Sequence, residues 1–159
     1  MSVPVGIALG SNLGDRQAGL DEGVDFIASL TFPRHVREGP RIETHAVDCA
    51  PGTPNYLNTV VEIELDPAHL APRQLLQRLQ SFEQRHGRPA DHGINTPRTI
   101  DLDILYYGDL VIDEPGLVIP HPRAHLRRFV LEPLFYLRPE LILPGQTKTV
   151  EELLEELQA

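Results

Sequence analysis

The stretch Thr96-Pro-Arg-Thr-Ile-Asp-Leu-Asp-Ile-Leu-Tyr-Tyr107 gathers the residue types that handle phosphate and metal. From Thr99 to Tyr107 the residues alternate as a strand does. Ile100, Leu102, Ile104 and Tyr106 fall on one face; Thr99, Asp101, Asp103 and Leu105 fall on the other. A rise of roughly 3.3 Å per residue sets the backbones of Asp101 and Asp103 roughly 6–7 Å apart on a shared face. Like charges at that range repel, and aspartate is a poor strand residue. A hard divalent cation such as Mg²⁺ removes the repulsion. The alternative is a solvent-facing strand edge that carries charge against aggregation. Arg98, beside the pair, suggests that phosphate joins the metal.

The elements that must position this stretch can be read in order. Val3 to Leu9 reads as a buried strand. Gly10-Ser-Asn-Leu-Gly14 is a turn without the residues of a phosphate-binding loop, and Asp15 caps a helix carrying Leu20, Val24, Ile27 and Leu30 at helical spacing. Pro33 interrupts; His35 to Val47 reads as a second strand, weakened by Gly39-Pro40, and Asp48 to Asn55 as a loop. Tyr56 to Leu65 alternates well, with Tyr56, Asn58, Val60, Glu62 and Glu64 on one face. A helix begins near Pro72, runs through Leu75, Leu76, Leu79, Phe82 and His86, and stops at Gly87. Arg88 to Thr96 lacks periodicity and reads as a mobile surface loop. After the Asp101 strand come a turn at Gly108-Asp109, a short return strand from Leu110 to Ile112, and a turn at Asp113-Glu-Pro-Gly116. Leu117 to Pro122 is extended, Arg123 to Leu137 is helical in parts, and Val150 to Leu157 forms an amphipathic helix.

Two successive β-α-β halves predict an α+β fold: a ferredoxin-like βαββαβ arrangement, with helices on one face of an antiparallel sheet and a C-terminal extension. In it the Asp101 strand is expected to be central. The 159 residues are expected to form one domain over 1–159. A formal charge of −9 argues against nucleic acid and anionic membrane as partners, though not against an anionic small substrate whose charge a metal and local arginines balance. The single cysteine, Cys49, cannot form an internal disulfide, and no segment resembles a signal peptide or membrane helix, so the cytoplasm is the expected compartment.

Gly10-Ser-Asn-Leu-Gly14, Tyr56-Leu-Asn58, Gly87-Arg88, Pro97-Arg-Thr-Ile-Asp-Leu-Asp103 and Ile119-Pro-His-Pro122 occur in an order and at spacings that resemble the 6-hydroxymethyl-7,8-dihydropterin pyrophosphokinase family. The resemblance runs from about Val5 to about Pro144. It implies a transferase of folate biosynthesis: the hydroxymethyl oxygen of the pterin attacks the β-phosphorus of ATP, and AMP leaves. It implies two Mg²⁺ ions at Asp101 and Asp103, with Arg88 and Arg98 as catalytic arginines at the ends of the loop. Gln80, Glu83, Arg98, His121 and Arg127 match the ATP positions. Thr44, Val47, Tyr56, Asn58 and Phe129 match the pterin positions, with Tyr56 and Phe129 stacking on the ring and Asn58 reading its edge. Without the resemblance, Phe129 reads as core, Asn58 as a strand-face polar residue, and Gln80 and Glu83 as a solvated helix face. The implied chemistry agrees with the residues. Phosphoryl-type transfer needs alignment and charge neutralisation more than covalent help, so no side chain need be a strong base. The expected partners are ATP and the pterin, and a monomer is favoured.

Two regions depart from the family pattern. The loop before Pro97 carries Ala90, Asp91, Asn95 and Thr96 where basic residues and a Trp-Gly are usual, and the chain has no tryptophan. His92 is the remaining loop residue able to add positive charge, and a weaker grip on ATP is expected. The pocket loop reads Thr44-His-Ala-Val-Asp48 in place of Thr-x-Pro-x-Gly. Val118 and Gly116 also stand where polar nucleotide contacts are common. These departures sustain a second class, a non-catalytic paralogue that binds pterin or nucleotide; retention of Asp101, Asp103, Arg88, Arg98, His121 and Arg127 opposes it. A metal-dependent phosphohydrolase is a third class, lacking a further histidine-carboxylate cluster.

Overall fold

The computed structural model describes residues 1–12, 14–31, 35–44, 55–87 and 100–158. Its frame is β1 (Val3–Ser11), which runs antiparallel to both β4 (Tyr56–Leu65) and β5 (Asp101–Tyr107). Two short strands, β2 (Arg37–Glu38) and β3 (Ile42–Thr44), pair with the far side of β4. The order across the sheet is β2-β4-β1-β5, with β3 also on β4.

Helices α1 (Arg16–Ala28) and α2 (Pro72–Phe82) cover one face, where Leu20, Ile27, Leu75, Leu79 and Phe82 pack on Val5, Ile7, Val61, Ile63, Leu102 and Ile104. Asp15 caps α1 as expected, accepting from the Ala18 N–H at 3.0 Å. The opposite face is covered by α3 (Arg128–Leu137) and α4 (Val150–Gln158), whose Val130, Leu131, Leu134, Val150 and Leu153 meet Val60, Leu105 and Tyr106. The ferredoxin-like α+β arrangement therefore stands, but its helices lie on both faces. The C-terminal extension supplies the second layer, which is why β4 is buried along nearly its whole length. Among the described residues no helix is long and apolar enough to cross a membrane.

Four further expectations are corrected. β5 lies at the edge of the described sheet, paired with β1 alone, and β4 takes the central place beside β1. Alternation shows which face a residue takes but not which strand lies next to it. The strand expected from His35 is broken at Gly39-Pro40 into β2 and β3, since proline cannot donate to a ladder. A return strand at Leu110–Ile112 does not form. Instead β6 (Ile112–Glu114) pairs with β7 (Leu117–Ile119) in a separate hairpin. Finally, the β1–β5 register shifts between Gly6 and Ile7, opposite Tyr106 and Ile104. The extra residue, Leu105, turns Tyr106 to the α3 face and Tyr107 to the α1–α2 face. Tyr106 then lies across Gly6, where an added Cβ would sit 2.3 Å from its ring, and its hydroxyl donates to buried Glu62. Burial and the Glu62 carboxylate raise the Tyr106 pKa. Arg138 completes the group with a 3.0 Å bond to Glu62, tying the end of α3 to the sheet.

Candidate active site

Along its α3 face, beyond Gly6 beneath Tyr106, β1 carries Ala8 and Gly10, small residues that leave space above the strand. A cleft of about 820 Å³ opens there. Gly10 pairs with Asn58 on one side and Asp101 on the other, so these three form one row across three strands. At roughly 4.7–4.9 Å per strand, Asn58 and Asp101 stand roughly 10 Å apart over a glycine floor. Ala8 makes the next row, between Val60 and Asp103.

One end of the cleft is aromatic and amide-lined, by Thr44, Tyr56, Asn58 and Phe129. Asn58 is buried, and its Nδ2 donates to the Thr44 Oγ1 at 2.8 Å, which fixes the plane of the carboxamide. Phe129 opens α3 and lies half-buried beneath Arg127, whose guanidinium carbon is 5.5 Å from the ring centroid. The other end is charged, by Asp101, Asp103 and Arg127. Asp101 is half-buried and Asp103 exposed, so both carboxylates are accessible from the cleft. Among the described residues no group of three or more His, Cys, Asp or Glu side chains could hold a metal. Two hard oxygen donors beside open space still fit Mg²⁺, which takes one or two carboxylates and completes its shell with water and substrate phosphates.

His121 reaches this end from beyond β7. Its N–H donates to the Leu105 carbonyl at 2.8 Å, and its Nδ1 accepts from the Arg123 N–H at 3.1 Å. An accepting Nδ1 leaves the proton on Nε2, so the ring is a neutral donor. Burial lowers its pKa, aided by Arg127 and Arg123 and opposed by Asp103. The outer edge of β5 is held from the other side by Glu83. This residue begins a π-helical turn, Glu83–Gly87, that prolongs α2, and its Oε2 accepts from the Leu102 N–H at 3.0 Å. Leu102 lies between the two aspartates, so the bond fastens the backbone that carries them.

One cavity thus brings an aromatic, amide-lined end and a charged end together. The family model for 7,8-dihydro-6-hydroxymethylpterin-pyrophosphokinase matches residues 6–139. The chain belongs to this family. The pyrophosphokinase of Synechocystis is 38% identical over 95% of this chain and 74% of that protein, and the Pseudomonas aeruginosa enzyme is 37% identical over 87% and 82%. A crystal structure of Plasmodium falciparum HPPK-DHPS with pterin and p-hydroxybenzoate superposes with a TM-score of 0.66 at 12% identity. It covers 98% of this chain, which spans 44% of that one; the likeness supports the fold.

Of the residues that the pyrophosphokinase pattern singles out, Thr44, Tyr56, Asn58, Phe129, Asp101, Asp103 and Arg127 line the same cleft. His121 is in electrostatic reach of Asp103. Gln80 is exposed on α2 and does not line the cleft. Arg88, Arg98, Val47, Cys49, Pro33, Leu13, Thr99, the loop over 89–98 and the segment 45–54 lie outside the described residues. Sequence reasoning missed Glu43, Arg128 and Glu132, which also line the cleft. The Arg128–Glu132 pair, 2.5 Å apart, had an i,i+4 signal in the sequence; Glu43 had none.

Proposed function

We propose that this chain transfers the pyrophosphoryl group of ATP to 6-hydroxymethyl-7,8-dihydropterin in folate biosynthesis. The hydroxymethyl oxygen forms a bond to the β-phosphorus. The bond from that phosphorus to the oxygen bridging to the α-phosphate breaks, AMP leaves with that oxygen, and the hydroxyl proton passes to solvent. The observation that carries the reading is the single row Asn58–Gly10–Asp101, which sets a pterin-type pocket and a carboxylate pair on one glycine floor.

Tyr56 and Phe129 stack on the pterin faces, and Asn58, oriented by Thr44, reads its polar edge. Val47 completes the pocket wall. Arg127 and neutral His121, with its Nε2–H, donate to phosphate oxygens; Arg88 and Arg98 add guanidinium forks to the transferring group, and Gln80 and Glu83 lie on the nucleotide side. Two Mg²⁺ ions, held by Asp101 and Asp103, would neutralise phosphate charge and align the reactants. The chain's own contribution is positioning: a rigid shelf of strands fixes the acceptor relative to the phosphates. Residues 1–159 act as one pyrophosphokinase domain in the cytoplasm.

The test is AMP formation from ATP and Mg²⁺ with and without the pterin. AMP only with pterin supports transfer, and Asp101→Ala and Asp103→Ala should each abolish it while remaining folded. Pterin binding without AMP at any concentration would make the chain a binding module. Phosphate release without pterin would make it a hydrolase.

A further inference from the structure

Between the end of β1 at Ser11 and the start of α1, Gly14 and Asp15 bring Arg16, a side chain with no part in the chemistry above, next to the strands that carry the pterin-type residues. Gly14 has φ of 60°, in the left-handed region that glycine adopts without cost, and has open space around it. Its role there is conformational. Asp15 then caps α1, and Arg16 becomes the first helical residue. Arg16 points back across the sheet. Its Nη1 donates to the Glu43 Oε1 at 2.8 Å and to the Asn55 carbonyl at 3.0 Å. Glu43 immediately precedes Thr44, and Asn55 immediately precedes Tyr56.

We propose that Arg16 is a positioning residue for pterin recognition, a clamp that joins α1 to the ends of β3 and β4 and so fixes Thr44, Tyr56 and Asn58. The assignment rests on the pyrophosphokinase reading of the cleft. Two physical points support it. β3 is three residues long and, among the described residues, pairs with β4 alone, through Ile42–Asn58, Glu43–Leu57 and Thr44–Tyr56. So short an edge strand needs an anchor beyond its own ladder. In addition, the Asn55 carbonyl shares a rigid peptide plane with the Tyr56 nitrogen. A guanidinium donor on that oxygen sets the plane, and with it the direction in which the Tyr56 ring leaves the backbone.

The two arms of the clamp are not equal. Arg16 is about one-third exposed and Glu43 about half, with side-chain values of 31% and 52%, so their ion pair contributes little by itself. The bond to Asn55 is part-buried, and a charged donor on a backbone carbonyl is stronger than a neutral one. Losing it should weaken whatever depends on Tyr56.

The experiment compares wild type with Arg16→Ala and Arg16→Lys. Pterin affinity is measured by calorimetry without nucleotide, and kcat, both KM values and Tm are measured on the same preparations. Arg16→Ala is expected to raise the pterin Kd and KM about tenfold, the loss of one charge-assisted hydrogen bond. ATP KM should stay within about twofold and saturated kcat within about threefold, because the carboxylate end is untouched. Arg16→Lys keeps the charge but not the reach and rigid plane with which Nη1 meets both oxygens, and should fall between, about threefold weaker for pterin. Pterin affinity unchanged in Arg16→Ala, or equal loss for both substrates, would overturn the assignment. If Arg16→Ala does not fold, Arg16→Lys decides, and wild-type pterin binding in it overturns the clamp. A wild-type chain that binds no pterin removes the pyrophosphokinase reading itself, which is distinct from normal binding that is insensitive to Arg16.

Discussion

Replacing Glu83 separates two roles for a residue that the family pattern assigns to ATP. Its Oε2 accepts from the Leu102 N–H at 3.0 Å, on the outer edge of β5, between Asp101 and Asp103. Glu83→Ala removes the acceptor and leaves a half-buried backbone donor in need of one. A hydrogen bond to a charged group contributes about 1.5–3 kcal/mol, and an unmade buried bond costs about 1–3 kcal/mol. Water reaches this site in part, so the lower half of the range applies: about 1–2 kcal/mol of unfolding free energy. For a chain of this length that corresponds to about 2–8 °C in Tm. The effect on turnover should be larger than on stability, because a shift of about 1 Å in a positioned group costs about 100-fold in rate. We expect kcat of Glu83→Ala to fall about 10- to 100-fold. Glu83→Gln keeps an oxygen acceptor at the same place and should hold kcat within about threefold. Urea unfolding followed by circular dichroism, with steady-state AMP formation at saturating substrates, measures both. Wild-type kcat and stability in Glu83→Ala would refute the reasoning. A stable Glu83→Gln as inactive as Glu83→Ala would show that the charge acts on the nucleotide directly.

Gly6→Ala places a Cβ 2.3 Å from the Tyr106 ring, which must leave its seat beside Glu62, and overpacking of this kind costs about 1–3 kcal/mol. A thermal melt should show the loss, while pterin-dependent turnover at 25 °C is retained; an unchanged Tm would contradict the close approach. Asn58→Ala removes the carboxamide that Thr44 orients. Calorimetry should show pterin binding weakened about 10- to 100-fold, as a site built to hydrogen-bond a polar edge loses about 1.4–2.8 kcal/mol. ATP affinity should not change, and equal loss for both ligands would argue that Asn58 is structural.

The three long strands β1, β4 and β5, both long helices of the first half and the amphipathic C-terminal helix were legible from periodicity, because burial of one face imposes it. So was the common face of Asp101 and Asp103, which the structure keeps. Neighbour relations were not legible. Nothing in the alternation of Asp101 to Tyr107 says that β5 ends the described sheet, or that Leu105 is an extra residue that reverses Tyr106. Glu62 read as a polar residue on a strand face; it is buried because α3 brings Arg138 over it, a contact between residues 76 positions apart. Separation in sequence also hid Arg16, whose partners lie 27 and 39 positions away. Its partners, Glu43 and Asn55, come near only when β3 folds against β4 beside α1. Beyond that aspartate pair, the cleft-lining residues came through motif resemblance rather than through periodicity, and Phe129 shows the difference: it reads as core but lines the cleft.

The most direct measurement is the identity of the products. Phosphorus NMR of a reaction containing equimolar ATP and hydroxymethyl-dihydropterin with Mg²⁺ distinguishes attack at the β-phosphorus from attack at the γ-phosphorus. Pyrophosphoryl transfer in this cleft gives AMP and a pterin diphosphate in equal amounts, and neither forms in Asp101→Ala or Asp103→Ala. ADP with a pterin monophosphate, or inorganic phosphate with unmodified pterin, would contradict it.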